Sequence, residues 1–298
     1  MASHRSGFVA LAGRPNVGKS TLLNRLVGIR VAITAPVPQT TRTVLRGVLT
    51  RPGAQIIFLD TPGIHEARHR LGEFMVAGAR RALQDADLVL WLVDAAGITD
   101  EDRVVAQMLR SLRVPVILAV NKTDGADAAP AAERLAAAER TAQDLLPAAA
   151  THRISARTGV GVEELVADLI QRLPEGPAYY PEEMPTDQPE QFLIREIIRE
   201  QAIHHTRQEV PHAVAVMIEE FAERAGGTVY VRATLHVEKA SQKKILVGRG
   251  GQRLKAIGSA ARGGAEALLG RKVFLDLWVT VTPDWREKPA LIRGFYPE

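Results

Sequence analysis

The order of apolar and polar positions divides this chain into two blocks with different rhythms. In the first, apolar runs at 8–12, 88–93, 114–120 and 151–154 alternate with stretches at 21–27, 70–84, 99–112, 128–146 and 161–173. The short runs predict buried strands. The longer stretches repeat their apolar residues every three or four positions and predict helices. Two further runs, 44–49 and 55–59, flank the Arg51-Pro52-Gly53 turn and predict neighbouring strands. Strand and helix in alternation predict an α/β domain with a mostly parallel sheet and ligands at the carboxyl ends of its strands.

The second block has another order. A helix is predicted over 190–206, with Leu193, Ile194, Ile197, Ile198 and Ala202 on one stripe and Arg195, Glu196, Arg199 and Glu200 off it. Its polar face mixes both signs, which favours burial in its own domain over a basic membrane-surface helix. His204 and His205 are expected at its exposed end. Strand-like runs follow at 213–218 and 228–237, with Gly226-Gly227 at the turn. Then come the segment 245–257, a helix at 259–269 and a strand at 272–281. The tail is expected to pack through Trp285, Leu291 and Phe295. Between the blocks, a stretch rich in Pro and acid reads as an extended linker, giving boundaries at 1–175, 176–189 and 190–298. Tyr179 and Tyr180 are expected to dock it by packing.

A length of 298 residues allows two ordinary cores. The absence of cysteine excludes disulfides and thiolate metal sites. No apolar run is long enough to span a bilayer, and no signal-like segment precedes the first strand, so a cytoplasmic protein is the expectation; a monomer is expected, though the sequence does not give the oligomeric state. Charge becomes informative once divided. Residues 1–189 hold 21 basic and 21 acidic side chains, whereas 190–298 hold 17 and 13, so the whole net charge of +4 lies in the second block. Within it, 239–265 carries Lys239, Lys243, Lys244, Arg249, Arg253, Lys255 and Arg262 and no acid. Such a patch suits an anionic partner such as nucleic acid.

The chemistry of the first block gathers where its strands are predicted to end. Gly13-Arg14-Pro15-Asn16-Val17-Gly18-Lys19-Ser20 lies between a strand and a helix, the context that makes G-x-x-x-x-G-K-[ST] a phosphate loop. Gly13 and Gly18 let backbone N–H groups converge on a polyphosphate, and the helix from Thr21 adds its positive end. Lys19 supplies a point charge to the outer phosphates and Ser20 a hydroxyl for Mg²⁺. Asp60-Thr61-Pro62-Gly63 places a carboxylate where a Mg²⁺-organising acid belongs, and Gly63 lets the backbone approach a γ-phosphate. Asn121-Lys122-Thr123-Asp124 points to guanine: Asp124 can accept from N1–H and the exocyclic amine, neither of which adenine offers. A site built for such bonds can reject analogues by roughly 10⁴–10⁵. Asn121 can fix the loop, the Lys122 stem can lie over the ring, and Ala156 of Ser155-Ala156-Arg157 can offer its N–H to guanine O6.

Taken together, these motifs form the GTPase set. With Gln39-Thr40-Thr41-Arg42 and Asp60-Thr61-Pro62-Gly63-Ile64-His65, the chain resembles the Era family of bacterial GTPases over nearly its whole length. The resemblance implies GTP hydrolysis with Mg²⁺, ligated by Ser20, Thr41 (rather than Thr40) and Asp60. Lys19, Thr41, Asp60 and Gly63 are then the catalytic set. Ile64 stands where Ras-like enzymes carry a water-orienting Gln. An alkyl chain cannot orient water, so slow intrinsic turnover is expected, with the water placed by other groups or by a partner. Asn16 either holds K⁺ at the phosphates or braces the loop. His65-Glu66-Ala67-Arg68-His69 matches the H-E-x-x-H zinc pattern, but it follows a switch-type motif rather than sitting on a formed helix, so zinc is not expected.

In the second block, Gly248-Arg249-Gly250-Gly251 between two helices, in the order α-β-β-α-α-β, resembles a type II KH domain. The G-x-x-G loop clamps about four nucleotides of single-stranded RNA. Lys243, Gly248, Arg249, Gly250, Gly251, Arg253 and Lys255 are its candidate RNA contacts. Ile245, Leu246 and Val247 are core positions or line the groove under the bases. The whole is expected to be an α/β P-loop GTPase domain followed by an α+β type II KH domain. The family resemblance further implies binding near the 3′ end of 16S rRNA, a role in small-subunit assembly, and peripheral association with the cytoplasmic face of the membrane. The competing expectation is a GTPase whose second domain binds protein or lipid.

Overall fold

In a computed structural model, the described residues are 4–35, 37, 40–64, 67, 69–124, 129–207, 209–224 and 226–297. They group into two compact units: 4–32, 41–67 and 72–187 in the first, and 33–40, 68–71 and 188–297 in the second, each within the described residues.

The alternation of the first block becomes β1 (Arg5–Ala12), α1 (Lys19–Val27), β2 (Leu45–Arg51), β3 (Ala54–Asp60), α2 (Arg70–Gln84), β4 (Leu88–Asp94), α3 (Asp100–Arg110), β5 (Val116–Asn121), α4 (Ala129–Leu145), β6 (Ala150–Arg153) and α5 (Val162–Arg172). The strands form one sheet in the order β2-β3-β1-β4-β5-β6. All neighbours are parallel except β2 and β3, the pair joined by the short turn. Every residue of β3, β4 and β5 is buried. That is the burial expected of strands covered on both faces, and it explains why they appear as unbroken apolar runs. Trp91 sits at the centre of the core, fully buried, and Ile64 joins the same cluster.

The segment after α5 turns back along this unit. Val48 N–H donates to Pro185 O at 2.8 Å, and Arg46 pairs with Asp187 at 2.9 Å. Gln55 accepts the N–H groups of Tyr179 and Tyr180 and donates to Tyr180 O. Tyr179 also packs on Phe8, ring centres 5.1 Å apart. The segment thereby covers the exposed edge of β2, which would otherwise offer unpaired backbone groups.

The second unit contains α6 (Glu190–His204), the short α7 (Val210–Ala213), β7 (Ala215–Arg224), β8 (Thr228–Val237), α8 (Ala240–Val247), α9 (Gln252–Leu269), β9 (Val273–Val281) and α10 (Pro289–Phe295), with 3-10 turns at Arg249–Gly251 and Trp285–Glu287. Its sheet runs β7-β8-β9, antiparallel between β7 and β8 and parallel between β8 and β9. The parallel pair requires a crossover, which α8 and α9 supply. A Cβ on Gly264 of α9 would come within 3.0 Å of Ile197 of α6, so this glycine permits close helix packing.

Several expectations are corrected here. β7 continues to Arg224 through a bulge between Ile218 and Glu220, well past the apolar run at 213–218. The helix begun at 190 stops at His204, and its supposed polar face is buried: Glu196, Arg199 and Glu200 are all nearly inaccessible. His204 is exposed as expected, whereas His205 is half-buried and bonds Gln201 O at 2.8 Å. The tail packs through Trp285, Ile292, Phe295 and Tyr296, while Leu291 is only half-buried. The Trp285 indole donates to Ala213 O at 2.8 Å and meets Phe295 edge-on.

Candidate nucleotide and RNA sites

The phosphate loop is a backbone cradle. Gly13 and Gly18 have φ of 151° and 105°, and Asn16 takes a left-handed 62° at the exposed turn. A Cβ on Gly18 would lie 2.2 Å from Asn121 Nδ2, so only glycine fits there. Val17 is fully buried and Pro15 is buried, which anchors the loop from beneath. α1 starts at Lys19 with no side-chain cap, and Thr21 is half-buried in its first turn. Uncapped N–H groups at a helix start are suited to an anion. Lys19 is buried, with Nζ donating to Gly13 O at 2.9 Å and Arg14 O at 3.0 Å. Burial lowers its pKa to about 8, against the opposing pull of Asp60.

Ser20, Thr41 and Asp60 converge. Ser20 Oγ lies 2.8 Å from Asp60 Oδ2 and 2.9 Å from Thr41 Oγ, and Thr41 donates to the same carboxylate oxygen at 3.2 Å. Asp60 is fully buried, and its Oδ1 has no hydrogen-bond partner among the described residues. Burial pushes its carboxyl pKa up, opposed by Lys19 and the two hydroxyls. Two hydroxyls and a carboxylate with one orphaned oxygen fit a hard, oxygen-ligated cation such as Mg²⁺. Thr61 donates to Leu11 O at 2.7 Å and Pro62 is buried, so these two residues brace the turn. A Cβ on Gly63 would fall 2.8–2.9 Å from Pro15 atoms, so glycine lets this turn close against the phosphate loop.

The residues expected to read the base are also together. Asn121 Nδ2 donates to Val17 O at 2.8 Å, tying the base loop to the phosphate loop. Thr123 N–H reaches Ile154 O at 3.2 Å, which ties the loop to the end of β6. Asp124 accepts Ser155 Oγ at 2.7 Å and the Arg157 guanidinium. The Ser155 bond is the main cause of its lowered pKa, so it stands ready as an acceptor. One expectation changes. Ala156 N–H is not free for guanine O6; it donates to Asn121 Oδ1 at 2.9 Å. Lys122, at φ 68°, has its Nζ on Asp94 at 2.7 Å. Arg25 of α1 braces this loop by donating to Ala156 O at 2.6 Å, a role the sequence did not reveal.

In the second unit, Gly248, Gly250 and Gly251 have φ of 72°, 54° and 79°. A Cβ on Gly248 would meet Arg253 at 2.8 Å, whereas Gly250 and Gly251 face open space. Lys243, Arg249, Arg253 and Lys255 are exposed around this loop. Arg253 also donates to Ile245 O at 2.6 Å and so closes the end of α8. Leu246 is fully buried in the core, while Ile245 and Val247 are half-buried. Gln39, His65 and Glu66 lie outside the described residues. Among those described, no three His, Asp or Glu side chains could hold a metal together.

Comparison with known proteins matches this geometry. Residues 8–122 fit the family model described as 50S ribosome-binding GTPase, and residues 209–286 fit the KH domain model. GTPase Era of Carboxydothermus hydrogenoformans is 49% identical over 295 residues, 98% of each chain. The chain belongs to the Era family of GTPases.

Two solved Era structures superpose on nearly its full length. An Aquifex aeolicus Era variant bound to GDP and AlF4⁻ gives a TM-score of 0.93 at 40% identity, covering 98% of this chain and 99% of that one. Era in complex with MgGDPNP and nucleotides 1506–1542 of 16S ribosomal RNA gives 0.93 at 41%, with the same coverage. As an Era family member, the chain is a GTPase: a P-loop domain with a mostly parallel sheet, followed by a KH domain. Among the described residues no helix is long and apolar enough to cross a membrane. The residues that sequence reasoning passed over, Arg25 and Asp94, carry no motif of their own. Asp94 only follows the apolar run at 88–93.

Proposed function

We propose that this Era family GTPase is a nucleotide-controlled clamp for single-stranded RNA near the 3′ end of 16S rRNA, acting in assembly of the small ribosomal subunit. The observation that carries the reading is one chain holding both an assembled guanine-nucleotide loop set and a KH loop whose Gly250 and Gly251 face open space amid exposed cations. The Era complex with 16S rRNA nucleotides supports the choice of RNA.

Residues 13–21 cradle the phosphates, and Lys19 meets the outer ones. Ser20, Thr41 and Asp60 would hold Mg²⁺, which when bound neutralises phosphate charge. Thr41 and Gly63 are the groups that answer to the γ-phosphate, so their order separates GTP from GDP. Asp124 reads the guanine edge, with Asn121 and Ser155–Arg157 fixing the loop. Ile64, buried in the core, cannot orient the attacking water, so intrinsic hydrolysis is slow and the water is placed by other groups or by a partner. Asn16, exposed on the phosphate loop, is the candidate K⁺ ligand; hydrolysis equal in K⁺ and Na⁺ would remove that assignment. The functional boundaries are 1–175 for the GTPase domain, 176–189 for the linker and 190–298 for the RNA-binding domain. The family resemblance adds peripheral attachment at the cytoplasmic face of the membrane, which co-sedimentation with lipid vesicles tests.

The deciding experiment measures binding of a 16S 3′-end oligonucleotide, with GDP and with a GTP analogue, across salt concentrations. Affinity should fall with salt as phosphate contacts are screened and should be lost in Gly250→Asp/Gly251→Asp. RNA affinity untouched by that change would favour a protein- or lipid-binding second domain.

A further inference from the structure

Asp94 ends β4 and pairs with Asn121 in the register of β4 and β5. It belongs to none of the phosphate, magnesium or base motifs, yet its carboxylate gathers donors from three segments. Oδ1 accepts the Ala96 N–H at 2.9 Å. Oδ2 accepts Lys122 Nζ at 2.7 Å and lies 3.5 Å from Arg14 Nη2. Arg14 is held a second time, donating Nε to Asp102 at 3.1 Å. Asp102 is fully buried and fixed at the start of α3 by the Thr99 N–H and hydroxyl, at 2.9 and 3.0 Å.

We infer that Asp94 is a positioning residue that sets the base loop and the phosphate loop in register for guanine nucleotide. Arg14 and Lys122 are like charges drawn to one oxygen, an arrangement that needs the carboxylate between them. Lys122 also occupies a left-handed backbone conformation, unfavourable for any residue with a Cβ. The Asp94 contact helps to hold it there. With Nζ pinned, the four-carbon stem of Lys122 becomes a fixed wall against which a base can lie. On the other side, the Arg14 carbonyl is one of the two acceptors of Lys19 Nζ. Fixing the Arg14 side chain therefore steadies the lysine that meets the phosphates. Neither arm involves Thr41 or Gly63, so Asp94 acts alike on GDP and GTP.

This inference rests on residues 13–21 and 121–124 being the nucleotide site. The test follows release of fluorescent GDP and of a GTP analogue from the full chain. Asp94→Asn should speed release of both together by about fivefold, the scale of a partly exposed charged pair, and Asp94→Glu should recover part of the loss. Should Asp94→Asn fold poorly, Lys122→Met and Arg14→Met keep Asp94 in place and test the same anchor. Because both act through one carboxylate, the double variant should release nucleotide more slowly than the product of the single effects predicts. Independent, multiplicative effects, or an effect on the GTP analogue alone, overturn the inference while leaving the nucleotide site standing. Wild-type protein that fails to bind guanine nucleotide would overturn the site reading and this inference with it.

Discussion

Asp60 accepts the Ser20 hydroxyl at 2.8 Å through Oδ2, while its Oδ1 is buried with no hydrogen-bond partner among the described residues. A carboxylate buried this way is costly unless a cation answers it. Its raised pKa carries the same information, with a definite sign. The penalty is absent at acid pH, where folded and unfolded chains are both protonated. It grows as pH rises through the window from the ordinary carboxylate value to the folded one, so stability falls across that window. Asp60→Asn should therefore raise the melting temperature of metal- and nucleotide-free protein at neutral pH by roughly 2–4 °C, while abolishing the gain that Mg²⁺ and a GTP analogue give the wild type. A variant that melts lower in EDTA would contradict this account.

Lys19 yields a proton-counting prediction. Burial holds its pKa at about 8, below the free-lysine value of 10.5, so the unfolded chain binds more protons between those two values. Nucleotide-free protein should thus lose this destabilising contribution as pH rises through that window. Phosphate at the site favours the ammonium and restores its pKa. Binding GDP at pH 8 should take up about half a proton at Lys19, and none at pH 6. Calorimetry in buffers of different ionisation enthalpy reads this directly. Lys19→Met serves as the control for proton uptake by other groups.

Asp124 is prepared as an acceptor by Ser155 and Arg157. Asp124→Asn replaces one acceptor oxygen with an N–H donor, which suits a purine carrying a carbonyl where guanine carries its amine. GDP affinity should fall by at least about 10²-fold and xanthosine diphosphate should become the preferred ligand. Competition binding checks it. Equal losses for both nucleotides would mean that the loop, rather than the base edge, had been damaged.

The site was legible where chemistry demands a fixed spacing. Gly13 to Ser20, Asp60 to Gly63 and Asn121 to Asp124 are local in sequence because each is one turn at the end of one strand. The helices at 70–84 and 161–173 were legible for a similar reason, since one apolar face repeats through each. What escaped depends on distant partners. The sequence offers the Ala156 N–H to guanine because nothing in it shows Asn121 Oδ1 already beneath that group. Glu196, Arg199 and Glu200 occupy a polar stripe by periodicity, and only the fold shows that the stripe is covered. β7 outran its apolar run because Glu220 and Arg224 can still pair with β8 on the exposed side of a sheet.

The KH loop separates strain from obstruction. Gly250 and Gly251 are left-handed but uncrowded. Gly251→Asn, a residue that tolerates this conformation, should cost stability little and reduce RNA affinity only modestly. Gly251→Asp adds a negative charge at the same place and should weaken RNA binding at least about tenfold more than Asn does, with the gap closing at high salt. Equal losses for Asn and Asp would show that backbone conformation, and not the approach of phosphate, limits binding.

Within the second unit, Arg199 is 1% exposed and donates Nη2 to Glu196 at 2.5 Å and also to the carbonyl of Thr40. A buried pair of this kind contributes little net stability over apolar side chains of similar size, but removing one partner is expensive. Arg199→Met should cost about 3 kcal/mol or more in the urea unfolding of this unit, on the scale of broken buried pairs. Arg199→Lys keeps the charge but loses the planar fork that reaches both acceptors, and should cost less than Met yet more than an exposed exchange. Replacing both partners, Glu196→Leu with Arg199→Met, should recover part of the single-variant loss, because the pair then leaves no charge of its own to desolvate, while Glu200 stays buried and Arg195 half-buried beside it. If the double variant is instead destabilised by the sum of the two single effects, the pair is not acting as a unit. The bond to Thr40 would then be the main support that Arg199 gives this fold.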